Sequence, residues 1–280
     1  MNDLLAMASG EYLAPSSGDK EKTMLLCIDV QQDFMDGGAL GVPGANDDTR
    51  RLTRFIYDNL EKITNIAVSL DTHSPFQIFH PCWWVDGNGD NPPPFTAITL
   101  FDIDAGKWRA VTEPQKSREY VANLEKSGRK VLIVWTYHCL QGTNGHALES
   151  NFANMIYFHS VARKSAVTMS VKGQEPLSEM YGIIKPEYSA GGYVNNDVLG
   201  LIDRFDKVII AGEAKSHCVL ESVRQILDNF EDTRDVAGKI ILLVDCMSSI
   251  PGFEKTTEEE FERFRRQYKA DLIKSTELRL

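Results

Sequence analysis

Nothing in the chain approaches the uninterrupted apolar run of roughly 20 residues that a membrane-spanning helix requires. Met1 to Lys22 carry neither the basic segment nor the apolar stretch of a secretory signal, so a soluble, cytoplasmic protein is expected. Basic residues are also in deficit: 30 Lys and Arg against 40 Asp and Glu leave a net charge of −10. That balance excludes an electrostatic grip on nucleic acid or an anionic membrane and leaves a small molecule as the expected partner. The five cysteines, Cys27, Cys82, Cys139, Cys218 and Cys246, are odd in number and contain no CxxC pair, which argues against a disulfide framework or a zinc ribbon. Internal repeats and low-complexity tracts are absent.

What is present is an alternation of short β-branched apolar runs with longer amphipathic segments, the pattern of parallel strands joined by crossover helices. It predicts an α/β fold. Strands are expected at Met24–Val30, Ile63–Leu70, Lys130–Thr136, Ala166–Val171, Lys207–Ala211 and Lys239–Val244, several apolar on both faces as buried strands should be. Helices are expected at Asp47–Leu60, Ser117–Lys126, Leu148–Arg163, Asn195–Phe205, Ser216–Asn229 and Glu254–Ala270. Residues 81–114, with the turn-forming run DGNGDNPPP, form a loop-rich insertion. The expected organisation is an N-terminal extension over 1–22 and a single domain over 23–280.

Ligands of open parallel sheets bind beyond the carboxyl ends of the strands, so polar residues where an apolar run stops are candidates for chemistry. Such residues are Asp29, the pair Asp71 and His73, His138, Lys172, and the stretch Glu213 to Cys218. Singly, each has a structural explanation: Asp29 as a loop cap, Cys218 as a small buried apolar group. A functional reading of Cys218 gains from its place at the start of a helix, where the dipole favours a thiolate, with a Lys and an Asp at neighbouring strand ends to complete its activation. Asp71, His73 and His138 offer an oxygen–nitrogen set suited to zinc, iron or manganese, although His80, His146, His159 and His217 show that histidine alone is weak evidence.

Several ordered motifs together resemble the isochorismatase-like cysteine hydrolases, and among them the nicotinamidases and pyrazinamidases, from about Met24 to the last strand. Asp29-Val30-Gln31-Gln32-Asp33-Phe34, followed by Gly38-Ala39-Leu40 and Val42-Pro43-Gly44-Ala45, is similar to that family's opening segment. Asp71-Thr72-His73 is similar to its metal loop, Trp135-Thr136-Tyr137-His138-Cys139 with Gln141-Gly142-Thr143 to its tryptophan–histidine–cysteine stretch, and Lys172-Gly173 and Gly212 to Val219 follow in order. The resemblance implies a Rossmann-like sheet of six parallel strands with helices on both faces. It also implies a Cys218–Asp29–Lys172 triad and a divalent metal, zinc first, on Asp71, His73 and His138. Phe34 and Trp135 would flank the substrate ring, Ala214 would sit at an oxyanion hole, and a non-proline cis peptide would join Glu213 to Ala214. Nicotinamide would be hydrolysed to nicotinate and ammonia through a thioester, and self-association is common in such proteins.

Two departures bear on substrate. About 60 residues separate the metal loop from the tryptophan–histidine stretch, far more than is usual in the resembling proteins. Glu213 and Lys215 put charges where those proteins have an uncharged run, and a charged Glu213 beside the site could alter substrate choice. His80 could be an additional ligand, but its setting, Phe79-His80-Pro81, does not match. The competing functions are hydrolysis of another small amide or carbamoyl compound without a ring-binding metal, and a non-catalytic binding protein on the same fold. Isochorismatase-type ether hydrolysis is disfavoured, since that branch lacks the nucleophile supplied here by Cys218.

Overall fold

Strand β1, Thr23–Ile28, is buried along its whole length, and its side chains alternate between two cores as the two-residue period of a strand demands. In the computed structural model, which describes residues 1–126, 128, 130–230 and 238–280, Met24, Leu26 and Ile28 join one cluster and Leu25 and Cys27 another. The first cluster is closed by helices α6 (Asn196–Asp203), α7 (Leu220–Asn229) and α8 (Glu254–Tyr268), through Ile202, Val223, Ile226, Phe261 and Phe264. The second is closed by α2 (Ala45–Asp58) and α5 (Ser150–Arg163), through Leu52, Phe55, Ile56, Phe152 and Ile156. Each such side chain taken fully out of water contributes about 1.5–3 kcal/mol, so β1, clamped from both faces, is the fixed point of the fold.

The remaining strands of the main sheet are β2 (Asn65–Asp71), β7 (Thr168–Lys172), β8 (Lys207–Gly212), β9 (Ile240–Leu243) and β10 (Asp271–Ile273). Their order is β10-β9-β8-β1-β2-β7, and every pairing is parallel. The expected six-stranded, helix-flanked α/β sheet is therefore present, with one exchange of members. Leu132–Ile133 (β6), from the run expected as a sheet strand over Lys130–Thr136, pairs antiparallel with Ala97–Ile98 (β4) outside the main sheet. Its apolar residues Leu132, Val134 and Trp135 are satisfied by a separate core with Ile78, Trp83, Trp84 and Val121. The sixth strand is β10, too short and too exposed at the sheet edge to carry an apolar signature.

That separate core draws on residues from Ile78 to Trp135, on both sides of the 81–114 segment. The segment is more ordered than a loop: it holds β3 (Trp84–Val85) paired antiparallel with β5 (Arg109–Ala110) and a short helix α3 (Leu100–Asp104) with a Thr99–Asp102 capping box, and α4 (Pro114–Lys126) follows it. At the other end of the chain, α1 (Asn2–Ser9) lies against α5, with Ala8 in contact with a cluster containing Phe158 and Ala162. Among the described residues no helix is long and apolar enough to cross a membrane.

Candidate active site

The strand order β8-β1-β2-β7 sets the site residues side by side. Asp29 follows the end of β1, Asp71 and Lys172 end β2 and β7 as register partners, and Cys218 lies in the π-helical turn Lys215–Val219 after β8. Two glycines permit this approach. A Cβ on Gly212 would lie 2.0 Å from the Ile28 carbonyl oxygen, and one on Gly173 would lie 2.5 Å from Asp71 Oδ1. Asp29 itself has a left-handed backbone, with φ of 46°. Such a non-glycine conformation costs about 1–3 kcal/mol and needs surroundings that over-determine it. Here Ser69 Oγ donates to Asp29 Oδ1 at 2.6 Å and accepts from the Asp29 N–H at 3.1 Å.

Lys172 is the hub. Its ammonium lies 2.9 Å from Asp29 Oδ2 and 3.0 Å from Asp71 Oδ1, donates to the Met180 carbonyl at 3.0 Å, and lies 3.8 Å from Cys218 Sγ. The Lys172 side chain is only 1% exposed. Burial alone would lower its pKa, but Asp29, Asp71 and Cys218 outweigh burial and raise it well above the ordinary lysine value, so it stays charged. For Asp71, burial pushes upward, yet His73 and Lys172 hold the carboxyl far below the usual carboxylate range. Asp29 is raised instead, by burial first, with Lys172 opposing and Asp71 adding. Burial likewise raises the Cys218 thiol well above its ordinary value, against the pull of Lys172 and with Asp29 adding to the rise. The sequence argument for a lowered thiol pKa at a helix start is therefore corrected: burial outweighs Lys172 and favours the protonated thiol in the resting site.

Next to this cluster Asp71, His73 and His138 offer ligand atoms within 4.8 Å of one another, all buried. His73 Nδ1 bonds the Gly173 carbonyl at 3.0 Å and His138 Nδ1 the Thr136 carbonyl at 2.8 Å. Both bonds place a ring proton on Nδ1 and turn Nε2 inward toward Asp71, the second-shell arrangement of metal-binding histidines. His73 Nε2 lies 3.0 Å and His138 Nε2 3.8 Å from Asp71 Oδ2. These donors fit a divalent transition metal. Burial would lower His73, but Asp71 outweighs it and raises the imidazole, whereas burial and then His73 push His138 down to about 3.

The structure also brings His80 to the cluster: it is fully buried, its Nδ1 bonds the Pro75 carbonyl at 3.1 Å, and its ring centroid lies 6.0 Å from that of His73. Its Nε2 has no hydrogen-bond partner among the described residues. Glu179 was not foreseen. It is 4% exposed, leaves Oε2 without a partner among the described residues, and is pushed up to about 7, by burial first. It lies in the irregular stretch after Lys172, where no periodicity or motif marks it.

Phe34, Trp135, Ala214 and Cys218 line one narrow cavity of about 20 Å³ with Glu179, Tyr181, His217 and Ile250. Room for about one water excludes a bulky substrate unless side chains move. Trp135 Nε1 donates to the Tyr181 hydroxyl at 3.1 Å, and His217 lies 5.9 Å from Trp135 and 5.8 Å from Tyr181, ring centre to ring centre. Tyr181 and His217 were missed as wall residues, although His217 immediately precedes Cys218 in the sequence. The expected cis peptide joins Glu213 to Ala214. The Glu213 side chain does not line the cavity; burial raises its pKa well above the ordinary glutamate value, so the expected charge beside the substrate is absent.

No protein-family model and no curated protein matches the chain. Solved structures do. A nicotinamidase/pyrazinamidase of Acinetobacter baumannii aligns with a TM-score of 0.60 at 17% identity, covering 93% of this chain and 100% of its own. A yeast nicotinamidase bound to the inhibitor nicotinaldehyde aligns with a TM-score of 0.61 at 17% identity, covering 90% and 99%. A Pyrococcus horikoshii pyrazinamidase in complex with zinc aligns with a TM-score of 0.52 at 18% identity, covering 90% and 99%. The chain has the fold of these proteins.

Proposed function

We propose that the chain is a cysteine amidohydrolase that cleaves a small planar amide, with nicotinamide the first substrate to test. The observation that carries this reading is the placement of Lys172 Nζ, 2.9 Å from Asp29 and 3.8 Å from Cys218 Sγ, the thiol that lines an aromatic-walled cavity. Asp29 takes the proton of the Cys218 thiol, while Lys172 balances the charge that remains. The thiolate adds to the amide carbonyl, whose oxygen is received by the N–H groups of Ala214 and Cys218, each such donor worth about 3 kcal/mol. Asp29 returns the proton to the departing nitrogen, ammonia leaves, and water activated by Asp29 hydrolyses the thioester to the acid and the free thiol. Phe34 and Trp135 hold the planar group in register.

Asp71, His73 and His138, with His80 and Glu179 at the periphery, would hold a divalent metal, whose chemistry when bound is to take a ring nitrogen and polarise water. A second reading, hydrolysis of a smaller carbamoyl or aliphatic amide, is favoured by the narrow cavity and by Glu179, an extra hydrogen-bonding acid in its wall. Ammonia release from nicotinamide and from a panel of small amides, on protein of determined metal content, separates the two. Metal-dependent release from nicotinamide supports the first, and release from small amides alone supports the second. Silence across the panel returns the chain to the binding-protein class.

A further inference from the structure

Glu213 and Asp48, neither of which lines the cavity, are 1% and 2% exposed, and their side chains are in hydrogen-bonding contact. Glu213 Oε1 and Asp48 Oδ2 nevertheless have no donor among the described residues. The other two oxygens are accounted for: Arg51 donates to Asp48 Oδ1, and Glu213 Oε2 accepts the Ser248 N–H at 3.2 Å. Asp36, a further carboxylate whose charge acts on Glu213, is taken up by the Gly44 and Asn46 N–H groups, both at 3.0 Å. Two carboxylates in contact with one guanidinium between them cannot both stay ionised in a buried site. One proton between Glu213 and Asp48 removes both orphaned oxygens at once, and the Arg51 contact assigns the anion to Asp48.

We propose that Glu213 is a neutral acid whose O–H donates to Asp48 Oδ2 while its carbonyl oxygen accepts the Ser248 N–H, a strap that positions residues 246–250 against the nucleophile turn. Among the described residues, that segment is otherwise hydrogen-bonded to the turn only through the backbone and one hydroxyl. The Gly212 N–H donates to the Cys246 carbonyl at 3.1 Å, the Lys215 N–H to the Ser248 carbonyl at 2.8 Å, and the Ile250 N–H to Ser216 Oγ at 3.0 Å. Ile250 is a wall of the cavity. Glu213 touches no reacting atom. It is a positioning residue, and through Ser248 and Ile250 it sets both the cavity wall and the turn that carries Cys218.

Its consequence for turnover rests on the amidohydrolase reading, so the test has two readouts: steady-state kinetics on whichever amide the enzyme cleaves, and the rate of Cys218 alkylation by iodoacetamide, resolved by peptide mass spectrometry. Gln keeps a donor and an acceptor without charge; Leu keeps neither. Glu213→Leu is expected to lower kcat/KM about tenfold, the worth of one well-placed hydrogen bond. The loss should fall mainly on KM, with a several-fold change in Cys218 alkylation. Glu213→Gln should restore both to within about threefold of wild type. If the wild type cleaves no amide but its alkylation follows this Leu and Gln pattern, the function fails and the positioning role stands. Glu213→Gln as impaired as Glu213→Leu means an ionised Glu213 and overturns the proposal, as does a Glu213→Leu protein that is less stable yet unchanged in both readouts. Should Glu213→Leu not fold, infrared difference spectra at neutral pH decide: a carboxylic-acid band present in wild type must disappear in Glu213→Gln, and its persistence overturns the proposal.

Discussion

Lys172→Met should destabilise the protein by about 3–5 kcal/mol, because it strands two buried carboxylates that share one ammonium. Asp29 and Asp71 lie 2.9 Å and 3.0 Å from Lys172 Nζ, and their side chains are 0% and 5% exposed, so water cannot replace the lost cation. With about 0.6 kcal/mol/K of unfolding entropy for a chain of this length, that loss corresponds to a fall in Tm of about 5–9 °C. Methionine fills the volume of the lysine stem, so the deficit reports charge rather than a cavity. The assay is thermal unfolding of wild type, Lys172→Met, Asp29→Asn and the double variant, in chelator so that no metal substitutes for the lost charge at Asp71. The double variant should be more stable than the sum of the two single effects predicts, since Asp29→Asn removes one of the stranded charges. In Lys172→Met the stranded acid has a folded pKa raised above its unfolded value. Its protonated form is compatible with the fold at low pH, and the deficit grows as pH rises through that raised pKa. Strict additivity, or a deficit that does not change with pH, would refute the reasoning.

Cys218→Ala should abolish amide hydrolysis while changing Tm by only a few degrees, because deleting one sulfur atom leaves a small void; residual turnover above background would rule out the thioester route. Asp29→Asn should remain folded and lose at least about a hundredfold in kcat, as expected for loss of the general base, and a wild-type kcat would move that role to another group. Metal uptake should release a proton, since Asp71 raises the pKa of His73 and a ligating imidazole must be neutral. Affinity should therefore rise with pH, and calorimetry in buffers of different ionisation enthalpy should show the release; identical enthalpies in all buffers would contradict the placement of that proton. Trp135→Ala should raise KM more than it lowers kcat, because the ring forms a wall of the cavity and reaches no reacting atom.

The sheet was legible wherever burial imposed a continuous apolar run, as in Leu25 to Ile28 or Val208 to Ala211, and the residues closing those runs mark the candidate site without any knowledge of distances. Lys130–Thr136 misled because a run that fills a separate core outside the main sheet has the same composition as one that fills the sheet. Asp271–Ile273 escaped because an edge strand of three residues needs no apolar run. Within the site, Asp71 and His73 announce themselves by spacing, but Glu179 acquires its role only from burial beside them. The neutral state of Glu213 likewise depends on Asp48, 165 positions away in the sequence, a contact invisible to local reading.

The position of β1 at the centre of the sheet has a consequence for biosynthesis. Asp29, Asp71, His73, His138 and Lys172 all leave the ribosome before β8 and the Cys218 turn, which must then seat against the flank of β1 left uncovered by β2. Until that late pairing forms, a nascent chain holds the acid, the lysine and the imidazoles without the thiol, and it presents β1 as an open apolar edge on which another chain can add. Chains stalled before Lys207 are therefore expected to aggregate rather than to persist as inactive monomers, and the reactive sulfur joins its partners only as the last central strand closes the sheet.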